Sequence, residues 1–365
     1  DQVTLQLTEK MAPSQLTKRM LADGSFEELP QRTPNDFMDN GLGWPEYEVE
    51  GDAPAVRARA RYKLWGQEAV KKIMLIDVAE GRASLDEFMA QLTERELAEL
   101  LGGQPNTGVA NTFGFGNLPE YGVPNLMTAD GPAGLRIAPQ CGVCTTAWPC
   151  STMLACTWNR SLVEEVGAAA AREVKENNIS FWLTPAVNIH RSPLCGRNFE
   201  YYSEDPYLTG EMASAMVTGI QSQKIGATVK HFACNNKETN RKNSDSRVSE
   251  RAIREIYLKA FEIIVKKADP WAIMSSYNLI NGHRASENKD LLTGILRDEW
   301  GFQGLVTTDW WTKGEHYKET LAGNDIKMGT GYPERLMEAL EKGLLTRKDL
   351  ELCVERVLKV FMRAE

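Results

Sequence analysis

ATVKHF (227–232), AIMSSY (272–277) and LVTT (305–308) are short apolar runs separated by two longer amphipathic stretches, SERAIREIYLKAFEIIVKKA (249–268) and NKDLLTGILRDEW (288–300). In the first long stretch Ile253, Ile256, Tyr257, Ala260, Ile263 and Ile264 recur at helical spacing, and the second stops at Gly301. The short runs lack the length of a helix and read as strands. Strand, helix, strand, helix, strand is the order of a parallel sheet whose crossovers are helical.

The same alternation extends in both directions. Strand-like runs are expected at Pro124–Ala129, Trp148–Cys156, Phe181–Val187 and Asp325–Met328. Between and around them lie helical patterns. Ser161–Asn178 carries Leu162, Val163, Val166, Ala170 and Val174 on one stripe, and Asp205 with Pro206 gives an N-cap and first-turn proline for a helix through Gln223. Thr346 opens a last helix with Leu350, Val354, Val357 and Phe361. Upstream, Ser84 with Glu87 and Thr93 with Glu96 have capping-box spacing, and Gly102–Gly103 is placed to end the second of those helices. Seven or eight such units favour closure, so the expected fold is α/β, a (β/α)8-like TIM barrel. Such a barrel takes about 250 residues, which leaves roughly a hundred of the 365 for another element.

That remainder lies at the start. Residues 9–60 contain EKMAPSQ (9–15), DGS (23–25), PQRTPND (30–36) and GLGWP (41–45), with no sustained periodicity, and read as an arm or linker. VTLQL (3–7) alternates as one strand does, and a helix is expected somewhere within Ala53–Gly81. The expected domains are a strand plus arm at 1–60 and the barrel at 61–365. A lone strand at a terminus has no evident partner, so the chain is expected to be a fragment of something larger.

A hydrophobic fraction of 42% and a charged fraction of 25% describe an ordinary globular chain. The net charge of −8 argues against nucleic acid or an anionic membrane as partner, and no apolar run approaches the ~20 residues of a membrane span. Seven cysteines, an odd and scattered count, favour a reducing and hence cytoplasmic compartment. Cys141 and Cys144 form a CxxC that has no second pair at metal-binding spacing, so packing or loop chemistry competes with a zinc or redox role. Neither phosphate-cradling glycine pattern is present and no histidine pair has metal spacing. No cofactor and no metal are expected.

In a parallel barrel, chemistry sits at the C-terminal ends of the strands. Those ends supply Asp130, Asn188 to Arg191, Lys230–His231, Tyr277 and Asp309–Trp310. Ionisable and aromatic groups in such a place suit a neutral polyhydroxylated ligand, whose hydroxyls they bridge and whose apolar face an indole covers. Each has a plainer reading: Asp130 could cap a turn through Gly131–Pro132, His231 could be a core histidine, and Arg136 is evenly balanced. Glu204–Asp205 is read as a helix start, and Trp182 and Trp311 as packing residues.

Taken together, TADGPAGLR (128–136), TPAVNIHRSPLCGRNFEYYSEDP (184–206), ATVKHFACNNKETNR (227–241), VSERAIREIYLKAFE (248–262), IMSSYNLINGHRASEN (273–288) and LVTTDWW (305–311) resemble the barrel domain of glycoside hydrolase family 3. The resemblance covers roughly residues 85–363 and rests on several long motifs in their usual order. It implies a retaining β-glycosidase, above all a β-glucosidase, with Asp309 as nucleophile. It implies that Asp130, Arg136, Arg197, Lys230, His231, Tyr277 and Trp310 surround the sugar. A retaining enzyme needs an ionised carboxylate about 5 Å from a protonated one, and cations such as Lys230 and Arg197 favour ionisation of nearby carboxylates.

The second carboxylate is not found in these residues. One branch of the family takes its proton from a histidine in the loop after KHF, whereas here KHFACNNKETNRKNSDSR (230–247) has Asp245 and no following histidine, which argues against the N-acetylglucosaminidase branch. In β-glucosidase members the acid/base is a glutamate on a separate α/β-sandwich domain, so that domain, or a chain carrying it, is an expected partner beside a β-glucoside or oligosaccharide substrate. The resemblance also makes residues 1–8 the last strand of an accessory β-sandwich, as in members with reversed domain order. Homo-oligomer formation stays open, as do a β-xylosidase and a carbohydrate-binding barrel without turnover.

Overall fold

A computed structural model describes residues 18–20, 25–28 and 72–364. The chain divides into two units, Asp1–Ala69 and Val70–Glu365. In the first, β1 (Lys18–Met20) pairs antiparallel with β2 (Phe26–Glu28), so part of the stretch read as an arm is a pair of short strands. The strand expected at 3–7 lies outside the described residues, as do residues 53–71 of the range in which a helix was expected; within its described end, Leu75–Ala79 is helical.

The second unit begins with three short helices, α1 (Leu75–Ala79), α2 (Leu85–Ala90) and α3 (Glu94–Leu100). The two expected capping boxes start α2 and α3. The Glu87 amide donates to Ser84 Oγ at 3.2 Å while Glu87 Oε2 accepts from the Ser84 amide at 2.8 Å, and Thr93 with Glu96 repeats the pattern. Two orphan amides are thereby satisfied at each helix start.

The elements that follow are β3 (Gly114–Leu118), β4 (Val123–Ala129), α4 (Ser151–Cys156), α5 (Arg160–Glu176), β5 (Phe181–Trp182), α6 (Pro206–Gln221), β6 (Gly226–Phe232), β7 (Asp245–Ser246) and α7 (Glu250–Ala252). Wide π-type turns at Ile253–Tyr257 join α7 to α8 (Lys259–Ala268). Next come β8 (Ala272–Ser275), β9 (Leu279–Ile280), β10 (His283–Arg284), a π-type helix at Asp290–Glu299, β11 (Leu305–Thr308), α9 (His316–Ala322), α10 (Pro333–Glu341) and α11 (Arg347–Phe361).

Six strands form one sheet in the order β11-β8-β6-β5-β4-β3. All its pairings are parallel except β3 with β4. Two further extended stretches carry the hydrogen bonding round: Thr307 bridges Ile326, Lys327 bridges Gly102, and Gln104 bridges Gly114 of β3. The result is a TIM-barrel-like α/β ring with one antiparallel member. A small sheet of β10-β9-β7 stands on the segments that follow β6 and β8.

One expectation needs correction, and one strand was not expected. Trp148–Cys156 is not a strand. After Pro149 the run STMLAC is helix α4, with Cys150 at its N-cap position, because a short apolar run does not separate strand from buried helix by itself. β3 went unread, since GFGNL (114–118) offers little alternation and its glycines mask a strand.

Successive strand residues enter different parts of the core, as a period of two requires. Phe181, Ala272 and Leu305 pack with Phe115, Ile326, Met328 and the apolar faces of α2, α3 and α11. Their neighbours Trp182, Ile273 and Val306 pack with α5, α6 and α8. Phe115, Phe181 and Trp271 meet edge to face at 5.2 and 6.3 Å, a geometry that adds to the roughly 1.5–3 kcal/mol of burying each large side chain. Asp205 caps α6 as expected, accepting from the amides of Tyr207 and Leu208. Among the described residues no helix is long and apolar enough to cross a membrane.

Candidate active site

Parallel strands bring their C-terminal ends to one rim. β4 runs into Asp130, β6 carries Lys230 and His231 among its last residues, β8 leads to Tyr277, and β11 runs into Asp309 and Trp310. Lys230 and His231 are adjacent, so regular pleating would send them to opposite faces. The pairing of β6 with β8 shifts register between Lys230 and Phe232, and an irregularity of this kind re-aims side chains. Both then serve the same site. Lys230 Nζ lies 3.3 Å from Asp130 Oδ1, and His231 Nε2 lies 3.9 Å from Asp309 Oδ2.

Asp309 is buried. Its Oδ1 accepts the Trp310 amide at 2.7 Å, and its own amide donates to the Ser275 carbonyl at 3.2 Å. The backbone of Asp309 is thus tied to β8, and its carboxylate is oriented by the backbone of the next residue. Burial pushes its pKa above the usual value. Arg241, Arg197, the Trp310 amide and Lys230 oppose this without cancelling it. Asp130 shows the contrary balance. Burial raises its pKa too, but Lys230, Arg136 and Arg197 bring it below normal. Cations therefore hold Asp130 ionised, as expected, whereas at Asp309 desolvation outweighs them.

Asn188 fixes the state of His231. Its Nδ2 donates to the His231 carbonyl at 2.9 Å, so its Oδ1 is the atom facing the His231 amide at 3.0 Å and ring Nδ1 at 3.3 Å. An oxygen acceptor requires the proton on Nδ1, which leaves the Nε2 lone pair toward Asp309. Burial, then the charges of Arg197, Lys230 and Arg241, hold the ring neutral with a pKa well below the usual histidine value.

Tyr277 donates to the Trp310 carbonyl at 2.6 Å, and burial followed by the Asp309 charge keeps its hydroxyl protonated. Arg197 bonds Glu200 at 2.5 Å and approaches Glu238 at 3.8 Å. Arg136 is exposed; its amide donates to the Asp130 carbonyl, and its charge reaches the carboxylate. All eight singled-out residues therefore belong to one rim, with Arg136 at its solvent edge.

Others belong there that the sequence reading passed over. Arg241 covers the Tyr277 ring at 4.7 Å and is the strongest charge opposing the upward shift of Asp309. Glu238 holds Arg241 at 3.0 Å while facing Arg197, so it brackets both guanidinium groups. Lys242 donates to the Trp311 carbonyl at 3.3 Å, and burial lowers its pKa although Asp309 acts against this. Asn111 donates to Asp130 Oδ2 at 3.4 Å and accepts from its amide at 3.0 Å. Arg241 and Glu238 stood within the quoted ETNR run, where a cation beside a strand-end lysine was the available signal. Asn111 had none.

Trp182 is buried in the core, and Trp311 stacks edge to face on Phe113 at 5.7 Å. Cys141 and Cys144 are exposed free thiols. Among the described residues no group of three or more histidine, cysteine, aspartate or glutamate side chains is placed to hold a metal. Two open surface grooves, one at His283, Arg284 and Lys318 and the other at Tyr317, Arg335 and Lys342, share none of the rim residues. Chemically, the rim offers one oriented, buried carboxylate, one ionised carboxylate paired with lysine, and a neutral imidazole between cations.

Residues 117–360 match the glycosyl hydrolase family 3 N-terminal domain. The chain is 62% identical over 355 residues to β-glucosidase A of Butyrivibrio fibrisolvens, covering 95% of this chain and 42% of that protein. It is similar in structure to β-glucosidase 3B of Thermotoga neapolitana in complex with α-D-glucose, with a TM-score of 0.74, 46% identity, and coverage of 77% of this chain and 43% of that one. A β-glucosidase of Paenibacillus barengoltzii gives a TM-score of 0.77 at 40% identity over 94% of this chain and 39% of that one. The chain spans about two fifths of the length of these relatives.

Proposed function

The chain belongs to glycosyl hydrolase family 3, and from that premise we propose that it hydrolyses terminal non-reducing β-D-glucosyl residues with retention, through a covalent glycosyl-Asp309 intermediate. The observation that carries this reading is the placement of Asp309: buried at the end of β11, one oxygen fixed by the Trp310 amide and the other facing His231. A nucleophile must be ionised and pre-oriented. The hydrogen bond at Oδ1 sets the plane of the carboxylate, so attack falls to Oδ2.

Asp130, kept ionised by Lys230, accepts from sugar hydroxyls, and Lys230 donates to them. The Nε2 lone pair of His231 accepts a further hydroxyl hydrogen. Such bonds strengthen as the ring flattens toward the oxocarbenium ion, which places them among the interactions that lower the barrier. Arg197 and Arg241, bracketed by Glu238, supply positive charge near Asp309. In this reading Trp310, Tyr277 and Arg136 complete the surroundings of the sugar.

The proton donor in this reading is a glutamate on an α/β-sandwich domain or chain outside these 365 residues. The scattered, odd cysteine count supports a cytoplasmic enzyme.

A 2-deoxy-2-fluoro-β-glucoside with a dinitrophenolate leaving group tests the nucleophile without needing the acid. Peptide mapping is expected to find the sugar on the peptide holding Asp309. Absence of any adduct would favour a carbohydrate-binding barrel. A panel of nitrophenyl glycosides decides between glucoside and xyloside.

A further inference from the structure

The loop that follows Asp309 sits on a charge pair sealed from water. Lys327 and Glu319 have side chains only 2% and 0% exposed, and Lys327 Nζ lies 2.5 Å from Glu319 Oε2. All three ammonium hydrogens are used, since Nζ also reaches Thr312 Oγ1 at 2.8 Å and the Gly314 carbonyl at 2.9 Å. The other carboxylate oxygen accepts the hydroxyls of Thr312 and Ser286, each at 2.7 Å. Thr312 stands three residues beyond Asp309 and touches both ions. Gly314 lies so close that an added Cβ would come within 2.2 Å of Glu319 Oε1. One residue after Lys327, Met328 receives the Trp311 amide at 2.8 Å, and its own amide donates to Thr308 Oγ1 at 3.0 Å.

A sealed ion pair of this kind is weak support for stability, because desolvating two charges offsets most of their attraction. What it does supply is direction, since each atom of the loop that meets the pair has one donor or acceptor to satisfy. We propose that Lys327, Glu319 and Thr312 are positioning residues for Asp309, clamping the Trp310–Gly314 turn so that the carboxylate is presented at a fixed distance and angle from the anomeric carbon. The proposal rests on the reading of Asp309 as nucleophile. None of the three residues touches the sugar; they act through the loop.

Thr312→Val and Ser286→Ala each remove one hydroxyl donor to the same Glu319 oxygen, but only the first belongs to the nucleophile's loop. The full chain would be labelled with the fluoro-glucoside, reading the maximal labelling rate and the half-saturating concentration separately, with thermal midpoints taken alongside. Misplacement by about 1 Å costs on the order of 100-fold, so Thr312→Val is expected to slow maximal labelling by about 10- to 100-fold at unchanged half-saturation. Thr312→Ser is expected to restore it, and Ser286→Ala to stay within about two-fold of wild type despite a similar drop in midpoint. Labelling by Thr312→Val at the wild-type rate, or equal slowing by Ser286→Ala, overturns the positioning role. A wild-type protein that takes no label overturns the nucleophile reading itself, and with it this proposal. Should Thr312→Val not fold, the double variant Lys327→Met with Glu319→Leu removes both charges without stranding either: slowed labelling supports the clamp, and wild-type labelling overturns it.

Discussion

Asp309 and Asp130 share one rim, but their pKa values are shifted in opposite directions, and the consequences for stability have opposite signs. The Asp309 pKa is raised on folding by burial, so the folded state favours its neutral form. Its stabilising share is complete below the unfolded pKa and is lost as pH rises through the folded one. Above its folded pKa the ionised carboxylate is therefore a strain on the fold, and Asp309→Asn is expected to raise the thermal midpoint increasingly as pH rises, while lowering kcat by about 10⁴-fold or more. A calorimetric scan and a glycoside assay check the two halves; a lowered midpoint would contradict the burial argument. For Asp130 the pKa is lowered, so its contribution is present above the unfolded value and fades as pH falls through the folded one. Arg241 is the leading charge holding Asp309 down. Arg241→Met should move the acidic limb of the kcat/KM profile to higher pH, and an unmoved limb would remove Arg241 from the electrostatics of the site. At this scale the sequence disclosed the residues that end strands, because a charged group after an apolar run is conspicuous. It did not disclose Glu238 or Asn111, whose roles depend on loops folding back across the rim, and it named Asn188 only as a strand-end residue, without its hold on His231.

At the scale of elements, the packing of α5 against α6 makes a sharper demand than helix propensity does. Gly219 and Gly167 face each other's helices. An added Cβ at Gly219 would lie 2.1 Å from the Glu164 carbonyl oxygen, and one at Gly167 would lie 2.7 Å from that of Met216. Alanine is about 1 kcal/mol better than glycine inside a helix, yet here backbone meets backbone and cannot give way like a side-chain tip. Gly219→Ala is therefore expected to destabilise by about 1–3 kcal/mol. Gly294→Ala, in a helix where nothing lies within 4 Å of the added carbon, is expected to be neutral or stabilising. Chemical denaturation of the two variants separates the effects, and equal midpoints would mean that α5 and α6 shift apart at little cost. Capping boxes and helical stripes were legible because they are local. Trp148–Cys156 misled because nine residues of mixed apolar character fit either a strand or a helix start, and tertiary position chose the latter.

For the molecule as a whole, closure of the ring was legible only as a count of units. The seam itself had no local signature. It joins Gly102 to the distant Lys327, and Gln104 to nearby Gly114, through single bridges, in stretches that carry little alternation. Two glycines make the approach feasible: a Cβ on Gly103 would fall 1.8 Å from the Gly329 carbonyl oxygen, and one on Gly329 would fall 2.7 Å from the Trp311 ring. The same stretch accepts the Trp311 amide at Met328 and holds Lys327 under the turn that follows Asp309. On the proposed roles of Asp309 and Lys327, closing the barrel and aiming the carboxylate are one structural event. Gly103→Ala should then lower the thermal midpoint and, in the folded fraction at low temperature, slow fluoro-glucoside labelling of Asp309 more than it weakens sugar binding. Gly196→Ala, with open space around the added carbon, should change neither. Should Gly103→Ala lose stability but label at the wild-type rate, the seam would be a matter of folding alone, because a ring that opens at residue 103 without disturbing Asp309 cannot be what orients it.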